Sequence, residues 1–232
     1  MSDIYNNKEV TPQTIYDAYN NFIFSKDMRV FNKMTKRIEL YLDVKDIFGD
    51  IVEFGVFKGA GLALWLRLRE IYETNSITKI IGFDYFAPNE LLSDLSGNNK
   101  KLMEDVLIRA EINDLSVEAV SKKLNIFGNE NFILVKGDAV KESARFYNEN
   151  IGAKIKLLYM DLDLGDPTYQ ILKKIWPNLS VGGIIVCDEY GYHCWDESVG
   201  VDKFLDGLDK NSYSLKNTNV IAPTLIIKKI KN

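Results

Sequence analysis

Cysteine and histidine are both scarce in this chain. Its 232 residues include two cysteines, Cys187 and Cys194, and a single histidine, His193. Two cysteines do not make a disulfide framework in a chain of this length, so a reducing cytoplasm is the expected compartment. A single histidine rules out a metal site built from several histidines of one chain, which counts against an iron-dependent hydroxylase.

An excess of basic charge and a long apolar run are missing as well. The formal net charge is −4, so no strong positive field is present to hold nucleic acid or an anionic membrane surface. The longest apolar stretches have the length of a strand, and we expect no transmembrane helix. The polar, acidic N-terminal segment argues against an ordinary signal peptide. We therefore expect neither nucleic acid nor a membrane as a partner.

Apolar residues, in contrast, are plentiful and regularly spaced. Hydrophobic residues make up 46% of the chain, which suits one globular domain with a full core. Helix-like spacing predicts helices over 11–48, and beyond them short β-rich runs alternate with helical segments. This alternation predicts an α/β fold with a parallel sheet covered on both faces. The predicted strands are 51–55, 79–86, 131–139, 154–163, 182–190 and two in 213–232 with a turn near Ala222-Pro223; later helices are predicted at 61–73, 99–126 and 166–179.

Ligands of such sheets bind at the carboxyl ends of the strands, and the first predicted strand ends in a glycine-rich stretch, EFGVFKGAG. Glycines there let the backbone turn tightly and approach a ligand closely. The spacing G-x-x-x-G-x-G, made by Gly55, Gly59 and Gly61, is neither the dinucleotide-binding pattern nor a P-loop. A plain strand-to-helix turn is the other interpretation of this stretch.

Single acids end the next two predicted strands. Asp84, at the end of the second, is placed to hydrogen-bond the ribose hydroxyls of a bound nucleoside, or is a solvated turn residue. Gly137-Asp138-Ala139 ends the third strand. Asp138 could accept a hydrogen bond from an exocyclic amine such as that of adenine, although this tripeptide is also common in turns.

Clustered acids follow the fourth and fifth strands. Asp161, Asp163 and Asp166 come after the fourth, and Asp188 and Glu189 after the fifth. If these strands are neighbours, Asp161 should converge with the later pair, and converging carboxylates repel unless a cation compensates them. Oxygen ligands suit Mg²⁺ or another hard divalent ion. We interpret Asp166, which precedes a proline, as the N-cap of the next helix rather than a catalytic residue.

The stretches EFGVFKGAG, GFDYF, KGDA, YMDLD and CDEYGYHCWDESVGVDKFL, in this order, resemble class I S-adenosylmethionine-dependent methyltransferases. More specifically, they resemble the macrocin and mycinamicin O-methyltransferases, which methylate sugar hydroxyls in a metal-dependent way. The resemblance spans about residues 50–205. It implies a Rossmann-like, doubly wound sheet of about seven strands, mostly parallel with an antiparallel C-terminal strand. It also implies one methyltransferase domain over 1–232, with a helical cap at 1–48 and a lid or substrate-binding insertion at 88–128.

The same resemblance implies the site residues and the ligands. S-adenosylmethionine and Mg²⁺ (or another hard divalent ion) are the implied cofactors, and a sugar hydroxyl of a small molecule is the implied acceptor. Asp161, Asp188 and Glu189 are the implied metal ligands. The implied cofactor-binding residues are Glu53, Phe54, Gly55, Val56, Gly59, Gly61, Asp84, Gly137, Asp138, Ala139 and Asp161.

The general base is not fixed by the resemblance. Catechol-type methyltransferases carry a lysine three residues after the metal aspartate, where this chain has Leu164, which counts against a catechol acceptor. His193 is a candidate base because its unperturbed pKa is near neutral. Asp163 is the other candidate, and Asp161 completes the predicted catalytic group.

Several alternatives stay open from the sequence alone. The acceptor could be another small molecule methylated on nitrogen or oxygen, the chain could be a nicotinamide-dependent oxidoreductase, or it could be a degenerate scaffold. The basic residues Arg29, Lys33, Lys36 and Arg37 could meet the diphosphate of a nucleotide sugar, but we favour a solvated helix face. The aromatic segment Tyr16, Tyr19, Phe22 and Phe24 could make a homo-oligomer contact.

Overall fold

A seven-stranded sheet forms the centre of the part of the chain that the computed structural model describes, namely residues 11–108, 110 and 112–232. Its strand order is β3-β2-β1-β4-β5-β7-β6. The strands β1 to β5 are parallel, and β7 runs antiparallel to both β5 and β6. The strands are β1 Asp50–Phe54, β2 Ile80–Asp84, β3 Phe132–Lys136, β4 Ile155–Met160, β5 Leu179–Cys187, β6 Tyr213–Asn217 and β7 Leu225–Lys229. The predicted α/β fold class is confirmed.

Helices cover both faces of this sheet. One face packs against α7, α8 and α9, with Ile171, Leu172 and Phe204 in its core. The other packs against α2, α3 and α6, with Leu40, Trp65 and Val120 in its core. The helices are α1 Pro12–Ile23, α2 Met28–Val44, α3 Ala60–Tyr72, α4 Pro88–Asp94, α5 Gly97–Leu107, α6 Val117–Leu124, α7 Ala139–Glu149, α8 Gly165–Ile175 and α9 Glu197–Asp206. None of the described helices is long and apolar enough to cross a membrane.

The central strand β4 illustrates why a buried strand can be recognised from its sequence. All six of its residues are buried, as expected for a strand covered on both faces. Lys156 is the one charged residue of this strand, and a lysine is rarely buried without a partner. Its ammonium lies 2.7 Å from Glu73 Oε1 at the end of α3. The strand therefore keeps one charge inside by pairing it with a carboxylate.

The N-terminal helices differ in how firmly they pack. In α1 the side chain of Thr11 forms a capping box with Thr14, but the helix buries no residue. The helix α2 is capped by Asp27, and its buried residues all lie in the second half, beginning with Arg37. The predicted helical segment 11–48 is confirmed. Residues 1–10 of the predicted cap lie outside the described residues.

Two local predictions are wrong. The single helix predicted over 99–126 is divided into α5, a 3₁₀ turn at Ile112–Leu115 and α6. Asp166 is not the N-cap of α8, because that helix begins one residue earlier, at Gly165. The first amide of α8 is capped from a distant loop, where Asp196 Oδ1 accepts from Gly165 N at 2.8 Å. The sequence pattern did not predict α4, α7 and α9 as separate helices.

Candidate active site

The loops after β1, β2 and β4 lie at the carboxyl edge of the sheet, where doubly wound folds place their ligand crevice, and these loops carry unusual backbone angles. Phe57, Phe86 and Asp163 have φ values of 52°, 50° and 64°, a region that residues with a side chain rarely adopt. Each lies in the loop that follows one of these strands. Such conformations cost about 1–3 kcal/mol each and concentrate at functional sites.

The glycine-rich turn after β1 is held close to β4. Gly55 has a φ of 88°, and a Cβ on it would lie 1.9 Å from the carbonyl oxygen of Asp161. Gly59 has a φ of 85° and is the N-cap of α3. At Gly61 a Cβ would lie 2.2 Å from Glu53 Oε1. This turn therefore needs glycine for its close contacts with Asp161 and Glu53. The predicted close approach to a ligand stays a prediction.

Glu53 is buried and fully engaged by neighbouring side chains. Trp65 Nε1 donates to Glu53 Oε2 at 2.7 Å, and Arg37 Nη2 donates to Oε1 at 3.2 Å. The Arg37 guanidinium lies 4.1 Å from the centre of the Tyr159 ring. Phe54 beside it is a core residue that stacks on Phe83. These contacts are structural, and the predicted cofactor contacts of Glu53, Phe54 and the buried Val56 stay predictions.

Asp84 ties the glycine-rich turn to the end of β2. Its Oδ2 accepts from the amides of Val56 at 2.8 Å and Phe57 at 3.0 Å, and its Oδ1 accepts from Phe86 N at 2.9 Å. Burial raises the pKa of this carboxyl, although these backbone hydrogen bonds oppose the rise. A ribose hydroxyl bound here would share a carboxylate that already fixes two loops.

The third predicted cofactor stretch starts α7. Asp138 is the N-cap of that helix, and its Oδ1 accepts from Val140 N at 2.9 Å. Gly137 before it has a φ of 129°, and Ala139 after it is the buried first residue of the helix. Gly137-Asp138-Ala139 therefore forms the turn into α7, and the adenine contact of Asp138 stays a prediction.

The acids after β4 and β5 converge, as predicted from the neighbouring positions of these strands. Asp161 and Asp188 directly continue the two strands. One ammonium joins them, because Lys33 Nζ lies 3.0 Å from Asp161 Oδ2 and 2.6 Å from Asp188 Oδ2. Tyr159 donates its hydroxyl proton to Asp188 Oδ1. Glu189 is paired with Arg29.

The cations of this cluster come from α2, and sequence reasoning missed their place. Arg29, Lys33 and Arg37 are spaced four residues apart, so they lie on one face of the helix. That face points at the acids, and the prediction of a solvated basic face is wrong for these three residues. Lys36 pairs instead with Glu39 of the same helix. The i, i+4, i+8 spacing of the three cations was the signal that could have revealed them.

Two further acids, Asp163 and Glu197, lie near the carboxylates of Asp161 and Asp188. Glu197, the first residue of α9, is completely buried, and its Oε1 accepts from Glu189 N at 3.2 Å. Burial raises the pKa of Glu197 well above its usual value. Burial, and to a smaller extent the negative charge of Asp161, raises the pKa of Asp163 to about 8. Sequence reasoning did not single out Glu197.

Negative charge is in excess at this end of the sheet. The five carboxyl groups of Asp161, Asp163, Asp188, Glu189 and Glu197 are referred to below as the acidic cluster, and they face the two cations Lys33 and Arg29. Among the described residues, Asp163 Oδ1, Glu189 Oε2 and Glu197 Oε2 are buried without a hydrogen-bond partner. Such atoms are costly unless protons or another cation satisfy them.

The other two predicted residues lie apart from the acidic cluster. His193 is exposed in the loop before α9 and makes no hydrogen bond or ion pair with the acidic cluster in the part of the chain described. Asp166 lies in the first turn of α8, where it accepts from Gln170 Nε2 at 2.6 Å. The structure thus gathers the predicted acids after β4 and β5 other than Asp166 and leaves the only histidine at the surface.

The donor set of the acidic cluster fits a hard cation in its chemistry, but the cluster is not open in this conformation. It offers carboxylate oxygens alone, which Mg²⁺ prefers. Two of these oxygens already flank one cation, the Lys33 ammonium. Within the described ranges, no group of three histidine, cysteine, aspartate or glutamate side chains is arranged ready to hold a metal ion.

The sheet and its helices define a doubly wound α/β protein, and comparison with known families gives the family. The sequence model of the macrocin O-methyltransferase family (TylF) matches residues 20–206. The chain belongs to this family and is an O-methyltransferase. A search of curated proteins gives no significant match.

Several solved structures share the fold of this chain. The calicheamicin methyltransferase CalS11 is 24% identical with a TM-score of 0.72, covering 99% of this chain and 89% of that one. Its apo form, described as a TDP-rhamnose 3′-O-methyltransferase, is 25% identical with a TM-score of 0.67, covering 99% and 90%. The O-methyltransferase NovP is 19% identical with a TM-score of 0.65, covering 88% and 80%. An O-methyltransferase of Bacillus cereus in complex with SAH is 12% identical with a TM-score of 0.58, covering 94% and 97%.

Proposed function

We propose that this O-methyltransferase transfers a methyl group from S-adenosylmethionine to a hydroxyl of a sugar or sugar-containing small molecule, with help from a divalent ion. The observation that carries the proposal is the excess of carboxylates gathered beside the crevice after β4 and β5. Family membership supports the transfer to oxygen and removes the support for a nicotinamide-dependent oxidoreductase.

The cofactor would lie along the crevice opened by the glycine-rich turn. Gly55, Gly59 and Gly61 keep the backbone of this turn free of side chains. Asp84 would receive the ribose, and Asp138 with Ala139 would lie beside adenine. The strained loops at Phe57 and Phe86 support a binding role for this edge of the sheet.

Asp161, Asp188 and Glu189 would hold the divalent ion. Bound there, such an ion would lower the pKa of the acceptor hydroxyl and fix its orientation. The unpartnered oxygen of Glu189 and the surplus of acids over cations support this part of the proposal. The carboxylates of Asp161 and Asp188 need little rearrangement, because they already converge on one cation.

Asp163 is the better placed of the two candidate bases. Its carboxyl is directed into the acidic cluster from a strained loop, and its Oδ1 has no partner among the described residues. In the proposed reaction the acceptor oxygen forms a bond to the methyl carbon as the bond from carbon to sulfur breaks. Asp163 takes the hydroxyl proton, and S-adenosylhomocysteine leaves. His193, exposed on its loop, would contact the acceptor at most.

A sugar acceptor is proposed from the similarity to CalS11, which is described as acting on TDP-rhamnose. The segment 88–128, which includes α4, α5 and α6, would serve as the lid or acceptor wall of a single domain. The cap 1–48 would close the other side. An acceptor methylated elsewhere than on a sugar is the second candidate, and the acidic cluster favours an acceptor oxygen over nitrogen.

The test measures S-adenosylhomocysteine binding by calorimetry, with Mg²⁺ and again with EDTA, for the wild type and Asp84→Ala. We expect micromolar binding that Asp84→Ala abolishes and that Mg²⁺ shifts. Methyl transfer to TDP-rhamnose, compared with free rhamnose, then tests the acceptor class. Absence of cofactor binding in both conditions would overturn the proposal.

A further inference from the structure

The first half of α2 is only partly covered, with residues 31–36 half-buried, and it reaches the acidic cluster through ion pairs. None of the residues 28–36 is buried, whereas Arg37, Leu40, Tyr41 and Val44 anchor the second half. The preceding helix α1 buries no residue either. We call residues 12–36 the N-terminal strap. Among the described residues, the ion pairs that join the strap to the sheet are those of Arg29 and Lys33 with the acidic cluster.

Lys33 occupies the place where the carboxylates would hold a metal. Its Nζ lies within 3.0 Å of both Asp161 Oδ2 and Asp188 Oδ2. Arg29 covers Glu189 and lies 3.9 Å from Asp188 Oδ2. A divalent ion on these oxygens would be in contact with the Lys33 ammonium, and two cations at such a distance repel strongly in a partly buried site. Metal and Lys33 therefore compete for the same oxygens.

We infer that Lys33, assisted by Arg29, is an internal counter-ion that a divalent metal must displace, so that metal binding releases the N-terminal strap from the crevice. The inference rests on the metal site of the proposed function. The two equilibria are linked. The factor by which the docked strap weakens metal binding equals the factor by which bound metal weakens docking of the strap. The anchored second half of α2 limits the movement to residues before Arg37.

The first test compares metal affinity in matched variants. Lys33→Met keeps the length of the side chain and removes its charge, and Lys36→Met is the control, because Lys36 of the same helix pairs with Glu39 rather than with the acidic cluster. Calorimetric titration with Mg²⁺, and with Mn²⁺ followed by its electron paramagnetic resonance signal, should show binding at least about tenfold tighter in Lys33→Met. Lys36→Met should bind as the wild type does. Equal or weaker binding by Lys33→Met overturns the inference.

The second test follows the strap itself. In the wild type, Mg²⁺ should speed amide hydrogen exchange in residues 28–36 and leave residues 38–44 unchanged. Exchange in 28–36 that slows or stays constant on metal binding overturns the inference. A wild type and a Lys33→Met variant that both bind no metal also overturn it, and methyl transfer in EDTA would then show that the methyltransferase part of the proposed function survives.

Discussion

At the scale of single residues, the crevice combines buried acids with strained backbone. Asp163 shows both properties, since it has a positive φ and a pKa raised to about 8 by burial and by the neighbouring Asp161. Glycines carry the remaining unusual conformations of the turn after β1. Substitutions at these positions can therefore separate chemistry from folding.

Asp163→Asn should lower turnover by about 10²–10⁴, because the variant cannot accept the hydroxyl proton. Affinity for S-adenosylhomocysteine should stay close to that of the wild type. Steady-state kinetics and calorimetry measure the two quantities. His193→Gln is the matched comparison and should keep turnover within a few-fold of the wild type. If His193→Gln loses more activity than Asp163→Asn, the roles proposed for the two residues are reversed.

Gly55→Ala should destabilise the fold and abolish cofactor binding. Its Cβ would lie 1.9 Å from the Asp161 carbonyl oxygen, and its φ of 88° strains any side chain. We expect a loss of at least about 2 kcal/mol in the free energy of unfolding, measured by urea titration. Gly152→Ala is the control, because a Cβ there meets no atom within 4 Å. Equal stability of the two variants would show that β1 and β4 can separate locally.

At the scale of elements, the pairing of α3 with β4 depends on one buried charge. Lys156 is completely buried, and Glu73 Oε1 lies 2.7 Å from its ammonium. Tyr41 of α2 donates to the same carboxylate. Burial raises the pKa of Glu73, but the hydrogen bonds from Lys156 and Tyr41 outweigh it, so the pKa is lowered overall. One carboxylate therefore links α2, α3 and the sheet.

Glu73→Gln should cost about 3–5 kcal/mol of stability at pH 7, because it leaves the Lys156 charge buried without its partner. Because the folded pKa of Glu73 is lowered, its contribution is complete above its unfolded pKa of about 4.3 and is lost as pH falls through the folded pKa. The difference between wild type and variant should therefore shrink in acid, as urea unfolding at several pH values would show. Glu39→Gln, which removes an exposed ion pair with Lys36, should change stability by less than about 1 kcal/mol at any of them. A pH-independent difference for Glu73→Gln would contradict the argument.

At the scale of the whole molecule, the sheet collects the site from distant parts of the chain. Residues after β1, β2, β4 and β5 meet at one edge because parallel neighbours end on the same side. The close contact of α8 with α9, where a Cβ on Gly200 would lie 1.9 Å from the Gly165 carbonyl oxygen, helps to set Glu197 beside Glu189 in the acidic cluster. Ligand binding at this edge should therefore stabilise the whole fold.

S-adenosylhomocysteine at 100 times its dissociation constant should stabilise the protein by about 2.7 kcal/mol. For a chain of this size that corresponds to a rise in melting temperature of roughly 5–10 °C. NAD at the same concentration should give no shift, because the turn after β1 lacks the dinucleotide-binding pattern. Differential scanning fluorimetry measures both. An equal shift with NAD would point back to a nicotinamide cofactor.

The sequence by itself determined the fold class and the positions of the strands. Mostly apolar runs such as Ile155–Met160 leave few alternatives to a buried parallel strand, and the turn glycines need their residue type for local backbone reasons. The convergence of Asp161 with Asp188 also followed, because neighbouring parallel strands end together. These features depend on local spacing and on a general rule of sheet geometry.

Only the tertiary structure decided how the charges are balanced. The cations Arg29 and Lys33 lie more than a hundred residues from their partners in the acidic cluster. Their four-residue spacing places them on one helix face but does not show which acids that face meets. Likewise, the cap of α8 comes from Asp196, thirty-one positions from Gly165, and Glu197 becomes a site neighbour through the packing of α9. Electrostatic partners act through space, so their identity is fixed when the chain folds.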